Sequence, residues 1–489
     1  EQSEDSRFVD ETRVLIQVGD LSFPVKVAAI FQLANSHRSL AVDQLKKAGQ
    51  ERREARADSL RRSAGENFKR AAHYYREASQ STDLLEIRVL SQYQLVKTNF
   101  QSSNYEGVIE EAGVLIDSFP ESDYVDEALY ELGWAHFSLG QFSEAIAAFE
   151  RLDQLGTAAD YRIDRAQFQV GKSYFEQQKY AEARSAMGRL VDKYDFTDLS
   201  EADRVKLEAS KLSGVVKETA VELVAKAQLL IGDSYTAEGD VEGASAAYRR
   251  VITDYSQERD LVEEAYVKIG EAYFAQQDLD GGIQVYRRSI DEVSSPGFRA
   301  RMQARIARSY YEARRFSEAT TEYENYITAY GDLAREGGVS IDRARFLAAQ
   351  SLFEMAEAAR LKGEDAEPAF RRAQDAYETV ITETPTTSLM GESLFGAGLA
   401  AQRRGGNDDL QQALALFGRV TTEFAQRQDL VSRALLQSGR SLYLQKEYGS
   451  SVSTYEEFVR RFPESRDVPR ALFELAVVHR DAEHSDLAV

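Results

Sequence analysis

Small and aromatic residues recur along this chain at a regular spacing. The segment YELGWAHFSLGQFSEAIAAFERL, residues 130–152, has a Gly inside a helical pattern, a turn and a second helical stretch, and related phrases follow it. When the phrases are aligned on their first small residue, most intervals are 37 or 38 residues, and the others are 42, 43, 47 and 61. A repeat of this length predicts a solenoid of helix pairs. We call the aligned positions anchors; they are Val96, Gly133, Gly171, Gly232, Gly270, Ala307, Ala349, Gly396, Gly439 and Ala476.

The anchors predict close contacts between the first helix (A) and the second helix (B) of each pair. Gly inside a helix costs about 1 kcal/mol relative to Ala, so its recurrence indicates a packing requirement. A second small residue follows twelve positions after six anchors, and a ring or Met stands four positions later, which we expect to fill the space between repeats. These pairs are Ala145 and Phe149, Ala183 and Met187, Ala244 and Tyr248, Gly282 and Tyr286, Ala319 and Tyr323, and Ser451 and Tyr455.

This pattern resembles the tetratricopeptide repeat family over roughly residues 84–489. Pro120 in SFPES and Pro463 in RFPES each stand 24 residues after an anchor, where that repeat ends. The resemblance implies an all-α fold, a right-handed superhelical α-solenoid of helix-turn-helix repeats. The family's usual period is about 34 residues, and the longer period here, with its F-P-E-S variant, resembles bacterial envelope members of the β-barrel assembly lipoprotein and Tol–Pal coordinator type.

The repeat spacing divides the chain into four segments. We expect a helical segment without clear repeats, a first repeat array, an inserted or lengthened helix, and a second array whose last repeat is incomplete: residues 1–83, 84–195, 196–222 and 223–489. Because the chain starts without Met and stops where a helix B should begin, we expect a removed upstream segment and further repeats in the natural protein.

Three shorter segments also carry expectations. Residues 41–80 predict one long charged helix, and its interleaved acidic and basic residues favour a solvated face over a basic binding strip. Residues 331–340 and 361–368 predict loops inserted into the second array. The apolar run at 25–34 is too short to span a membrane and predicts part of a buried helix.

Composition narrows the classes of partner. A formal charge of −21 and a pI near 4.9 exclude nucleic acid and an anionic membrane surface as main partners, because both require a basic footprint. The absence of Cys excludes disulfides and thiol chemistry but selects no compartment. The five His residues show no metal-binding spacing, no phosphate-binding loop occurs, and the carboxylates are evenly spread. We therefore expect no enzyme activity, no cofactor and no metal.

The resemblance implies that helix A of each repeat lines a concave surface that binds ligands. Aromatic and basic residues near the anchors would then form a groove for an extended peptide or a partner helix. The alternative is that these rings only pack against the neighbouring repeat. The predicted groove residues are Tyr130, Trp134, Phe137, Phe168, Lys172, Phe175, Phe274, Arg308, Tyr311, Phe346, Phe353, Arg440 and Tyr443.

These features predict a non-enzymatic scaffold for protein–protein interaction. The envelope resemblance implies a role in assembling or organising a bacterial cell-envelope complex in the periplasm, with a cytoplasmic location as the alternative. A glycan- or peptidoglycan-binding envelope module is the second functional hypothesis, because aromatic and acidic side chains can stack on and hydrogen-bond sugars. The pattern specifies neither the partner nor the oligomeric state. We further expect Phe175, Phe274 and Tyr311 to project into one concavity, with Lys172 and Arg308 beside them.

Overall fold

The computed structural model describes residues 23–81, 83–194 and 220–486, and over these ranges the chain is helical with short connections and no strand. The chain divides into two compact units, Glu1–Ala265 and Tyr266–Val489. Most of the predicted insertion at 196–222 lies outside the described residues. Helix pairs follow one another along each unit, which confirms the predicted all-α architecture of helix-turn-helix repeats.

The described helices of the first unit follow one another in chain order, and the first ten pack each against the next. They are α1 (Phe23–Gln50), α2 (Glu54–Gln80), α3 (Leu85–Gln101), α4 (Tyr105–Ser118), α5 (Val125–Ser138), α6 (Phe142–Leu155), α7 (Asp160–Glu176), α8 (Tyr180–Lys193), α9 (Ala220–Glu238), α10 (Val241–Asp254) and the first residues of α11 (Arg259–Ala275).

The second unit continues the same organisation from within α11. Its further helices are α12 (Leu279–Glu292), α13 (Pro296–Glu312), α14 (Phe316–Tyr330), the single-turn α15 (Ala334–Gly337), α16 (Ile341–Leu361), α17 (Glu367–Glu383), α18 (Met390–Arg404), α19 (Asn407–Glu423), α20 (Gln428–Leu444), α21 (Tyr448–Arg461) and α22 (Val468–Asp486).

The N-terminal segment is a hairpin of two long helices, so the prediction of one helix over 41–80 is wrong. The chain leaves helical geometry at residues 51–53, between α1 and α2. Both helices carry small buried residues every seven positions, and a turn between them lets the two series face each other. Ala side chains at such a seam allow a close approach of the helix axes. The seam residues are Val27, Ala34, Ala41 and Ala48 on α1 and Ala57, Ala64, Ala71 and Ala78 on α2.

The anchor glycines lie where the backbone of helix A meets a large side chain of helix B in the same repeat. A Cβ built at Gly133 would lie 2.5 Å from the Phe149 ring, and at Gly171 it would lie 2.6 Å from Met187. The ring therefore fills the space inside its own helix pair, and not only the space between repeats. The Tyr455 ring also reaches the next repeat, because its hydroxyl donates to Glu474 at 2.8 Å.

One predicted anchor is displaced by two residues. A Cβ at Gly398 would lie 2.6 Å from Phe417 of the following helix B, α19, whereas at Gly396 it would lie 2.5 Å from Tyr377 of the preceding helix, α17. Residues two apart in a helix point to nearly opposite sides. Gly398 is therefore the anchor of this repeat, and Gly396 permits the close approach of the previous one.

The turn between helices A and B repeats one backbone conformation. The residue seven after the anchor has a positive φ in eight repeats, with values from 58° to 80°. Gly140, Gly239 and Gly405 occupy this position at little cost, because glycine lacks the Cβ that disfavours left-handed backbone. The remaining repeats hold Ser103, Gln178, Gln277, Arg314 and Lys446 there.

A buried Gln four residues before the anchor links helix A to the backbone of helix B. The Gln303 side-chain amide donates to the Glu322 carbonyl at 3.2 Å and to its carboxylate at 2.6 Å. Gln92 makes the same two bonds to Glu111, at 2.9 and 2.7 Å. In both repeats an Arg of the preceding helix B also pairs with that carboxylate. The bonds satisfy polar groups that would otherwise be costly to bury.

We expect replacement of the anchor Gly270 by Ala to destabilise the protein. The new methyl group would lie less than 3.0 Å from the Tyr286 ring, and overpacking of this kind costs about 1–3 kcal/mol. Gly418 is the matched control, because it lies inside α19 with no atom within 4 Å of an added Cβ. Its replacement by Ala should stabilise the protein by about 0.5–1 kcal/mol. Urea denaturation of both variants measures the difference, and equal responses would contradict the packing role of the anchor.

Candidate functional site

In the first unit, three predicted groove residues form a connected row of rings on α5. The ring centroids of Tyr130 and Trp134 are 6.4 Å apart, and those of Trp134 and Phe137 are 6.1 Å apart, both nearly edge to face. Phe137 also meets Phe142, the first residue of α6, at 5.5 Å. All three predicted residues are half-buried, so each ring contributes to packing and still presents an edge to solvent.

The predicted residues on α7 continue this surface. The ammonium group of Lys172 lies 5.4 Å from the centroid of the Phe137 ring, a cation–π contact between neighbouring A helices. Phe175 packs against Tyr180 of helix B at 5.4 Å. Phe168 packs against the apolar cluster that contains Met187. The structure thus brings Phe137 and Lys172 together, while Phe175 contacts the helix that follows it.

Beside these rings lies a charged cluster that includes a buried carboxyl group, Glu131. One of its oxygens is buried without a hydrogen-bond partner within the described ranges. Burial raises the pKa of Glu131 to about 7, with Lys97 opposing the shift and Glu127 adding to it. Arg162, from the next A helix, pairs with Glu127. It also lowers the pKa of Glu131, but it offsets only part of the rise that burial causes. The groove prediction missed Glu131, although it stands between the predicted residues Tyr130 and Trp134.

In the second unit, two predicted residues, Phe274 and Arg308, line a cavity of about 450 Å³. Phe274 packs edge-on against Tyr286, with ring centroids 5.4 Å apart. Arg308 is exposed and pairs with Glu312 at 2.7 Å. Both α11 and α13, which carry these residues, are A helices. The cavity therefore includes residues of two neighbouring A helices.

Further charged residues of this cavity were not predicted. Arg305 of α13 pairs with Glu271 of α11 at 2.9 Å and donates to the Tyr286 hydroxyl at 3.4 Å. Arg301 also lines the cavity. The sequence does indicate this basic group: Arg301, Arg305 and Arg308 are spaced by four and three residues, which places them on one helical face.

The predicted loop at 331–340 forms a wall of the cavity, and part of it is helical. Residues Gly331–Leu333 make a 3-10 turn and Ala334–Gly337 make α15, which packs on α13. Gly337, Gly338 and Val339 line the cavity. The Tyr326 hydroxyl donates to the Val339 carbonyl at 2.6 Å, which ties the wall to α14.

The remaining predicted rings pack against helix B or the next helix. Tyr311 meets Phe316 at 5.7 Å, and Phe353 meets Phe370 at 5.6 Å. Phe346 lies 5.8 Å from Tyr377. Tyr443 meets Tyr448 at 6.1 Å and donates to Asp481 at 2.7 Å, and Arg440 is half-buried on the same helix.

The common concavity predicted for Phe175, Phe274 and Tyr311 stays a prediction. Phe175 lies in the first unit, whereas Phe274 and Tyr311 lie in the second, and each ring packs against the second helix of its own repeat. A ring four residues after the anchor faces the start of helix B, because antiparallel helices bring these positions together. Contact of the groove residues with a partner stays a prediction.

Within residues 23–81, 83–194 and 220–486, no three His, Asp or Glu side chains are grouped in a way that could hold a metal ion. In the same part of the chain, no helix has the length and apolar character required to cross a membrane.

The stacked helix pairs define the chain as an α-solenoid. Sequence models described as tetratricopeptide repeat match residues 126–152, 165–197, 229–296 and 433–465, so these four segments are similar to tetratricopeptide repeats. No curated protein sequence matches the chain.

Several solved structures are similar to the chain at low identity. The C-terminal part of a TPR repeat-containing protein from Cytophaga hutchinsonii is 14% identical, with 62% of this chain and 98% of that chain covered and a TM-score of 0.37. Yeast Tom70 is 13% identical, with 91% and 96% covered and a TM-score of 0.30. A tetratricopeptide repeat protein from Parabacteroides merdae is 10% identical, with 61% and 98% covered and a TM-score of 0.31.

The pKa of Glu131 predicts a pH-dependent stability. Because the pKa rises from 4.5 to about 7 on folding, the folded state binds the proton more tightly, and the free energy of unfolding falls as the pH rises between these values. Glu131→Gln should therefore raise the free energy of unfolding at pH 8 by about 2 kcal/mol and change it little at pH 4. Urea denaturation at both pH values, with the exposed Glu150→Gln as control, measures this. Equal gains at both pH values would show that proton binding is not the cause.

Proposed function

We propose that this protein is a non-enzymatic scaffold that binds protein partners through the surface of its A helices. The observation that carries the proposal is the cavity on α11 and α13, which combines the Phe274 ring with charged side chains of both helices. An aromatic ring offers a large contact area at low entropic cost, and Arg is a frequent contributor to binding energy at interfaces. The tetratricopeptide repeats support the same class of function.

The charges in the cavity favour a partner segment with a carboxylate. Three Arg and two Glu line the cavity, and both side chains of the Arg308–Glu312 pair are exposed to solvent. An exposed ion pair of this kind contributes little to stability, so it can be exchanged at low cost. A partner carboxylate can therefore replace Glu312 as the acceptor of Arg308, and an apolar side chain beside it can contact Phe274.

We place the scaffold in the bacterial cell envelope, in the periplasm, where it would assemble or organise a protein complex. The support is the repeat period of 37 or 38 residues and the F-P-E-S segments after two anchors. Fractionation of the source organism, followed by immunodetection of the protein, tests the location. Recovery from the cytosolic fraction alone would overturn it and leave the scaffold proposal intact.

A glycan or peptidoglycan ligand is the second candidate. The half-buried Tyr130 and Trp134 beside the Glu131 carboxyl group favour it, because rings and carboxyl groups are side chains that bind sugars. Trp134 is the only Trp in the chain, so its fluorescence reports on this surface alone. Titration with peptidoglycan fragments should change the emission if this candidate holds. An unchanged spectrum at saturating fragment concentration would exclude the first-unit ring surface as the glycan site.

Reversal of one cavity charge tests the leading proposal. Arg308→Glu should reduce recovery of the partner from an envelope extract of the source organism, with an affinity loss of about tenfold or more, because a desolvated charge contact is replaced by repulsion. Arg288→Glu is the matched control: Arg288 is also exposed and pairs with Glu292 four residues on, but it lies outside the cavity. Circular dichroism confirms folding. Equal recovery by both folded variants would exclude the cavity as the partner site.

A further inference from the structure

An apolar cavity of about 670 Å³ lies at the edge of the first repeat and shares no lining residue with the α11–α13 cavity. One wall is the N-terminal part of α3, with Leu85, Val89 and Leu90. The other wall is the connection from α4 to α5, where Phe119 and Tyr124 contribute their rings. Pockets of this size hold one or two large apolar side chains.

The apolar wall is partly open to solvent. Leu85 is 61% exposed, and the adjacent Leu84 is 50% exposed. Leu85 follows the N-cap of α3, where a polar residue is the common choice. Two exposed leucines beside an apolar cavity form a patch of the kind that marks an interaction site.

The repeat fold does not require these apolar residues. The repeat at α20–α21 has the same Phe-Pro-Glu-Ser sequence, and its anchor Gly439 sets the register with Val96 of the first repeat. At the four positions that hold Leu84, Leu85, Val89 and Leu90 in the first repeat, it holds Arg427, Gln428, Ser432 and Arg433.

A third repeat gives the same result. With Gly171 as anchor, three of the four positions are polar: Asp160, Asp164 and Arg165. Helices with the same register thus form with polar side chains at these positions. The apolar set belongs to the first repeat, which indicates a function specific to that repeat.

The charge around the cavity selects among possible occupants. Glu86, Glu121 and Asp123 line it together with the apolar side chains, and none of its lining residues is basic. The Arg88 guanidinium lies over the Phe119 ring at 5.6 Å, but Arg88 lines the adjacent polar cavity. An occupant with basic groups around an apolar side chain therefore complements the rim.

The chain itself is a poor source of such an occupant. Residues 1–22 contain six acidic and two basic residues, so their charge opposes the acidic rim. A second copy carries a formal charge of −21, which also disfavours close approach to this surface.

We propose that this edge cavity, lined by Leu85, Val89, Leu90, Phe119 and Tyr124, binds a segment of a partner protein in which an apolar side chain is flanked by Lys or Arg. The apolar side chain enters between α3 and the α4–α5 connection, and the basic side chains meet Glu86, Glu121 and Asp123. This surface is separate from the A-helix cavity of the proposed function, so the chain can hold two different partners.

The register-matched repeat supplies the variants for the test. Leu85→Gln with Val89→Ser installs the residues that α20 carries at the same positions, which keeps the helix compatible with the fold. Asp123→Arg installs the residue found at position 466 of that repeat and reverses one rim charge. Leu155→Gln is the control, because Leu155 is a 39% exposed Leu of the same unit outside the cavity.

The probe is a random peptide library displayed on phage and selected on the full-length chain. Peptides that bind the wild-type chain, the Leu155→Gln control and the Arg308→Glu variant alike should carry a large apolar residue next to Lys or Arg, because Arg308→Glu removes those that bind the α11–α13 cavity. Their affinity should fall by about tenfold or more on the Leu85→Gln, Val89→Ser variant, and Asp123→Arg should weaken them through charge repulsion. Circular dichroism and sedimentation accompany each variant.

Three results would overturn the proposal. The first is a selection in which no peptide distinguishes the wild-type chain from the folded double variant. The second is enrichment, among peptides that still bind Arg308→Glu, of acidic apolar peptides whose binding the double variant abolishes, which would indicate an occupant like residues 1–22 of the chain itself. The third is a dimer that the double variant abolishes, which would assign the cavity to a second copy. Loss of A-helix binding in Arg308→Glu leaves these outcomes unaffected, so the two proposals fail independently.

Discussion

The stack depends on one contact, in which a helix-A position without a bulky side chain faces a large side chain of helix B. Gly133 opposite Phe149 is the first such contact along the array. The large side chain occupies the volume that the anchor leaves free, so the two backbones come close without a void. The other recurring features keep a fixed offset from it: the buried Gln lies four residues before the anchor, and the left-handed turn residue lies seven after it.

The fold was largely predictable because this contact depends on residue size, which the sequence displays directly. The predictions were wrong where one spacing of small residues is compatible with two helix contacts. Gly396 and Gly398 are both small, and only the position of Tyr377 and Phe417 in the folded chain shows which helix each one faces. The hairpin of α1 and α2 was missed for a related reason, since its small residues repeat every seven positions and not at the longer period of the array.

The candidate sites were less predictable, because residue type reports the size of a side chain and not its direction. The predicted rings Phe137 and Tyr311 are half-buried, with one edge against the start of helix B. The cavities are assembled from several helices and connections that are distant in sequence. The wall at 337–339, for example, depends on a hydrogen bond from Tyr326, which no local pattern encodes.

The ion pairs that link neighbouring repeats have a consequence for how the array opens. Arg305 reaches back 34 residues to Glu271, and Arg315 reaches back 35 residues to Asp280, so these contacts extend over one repeat. Stability in such an array is a sum of single-repeat and nearest-neighbour contributions. A weak repeat can therefore open while its neighbours remain folded. A partner bound across two adjacent repeats couples their opening, and the protein becomes stiffest where it is occupied.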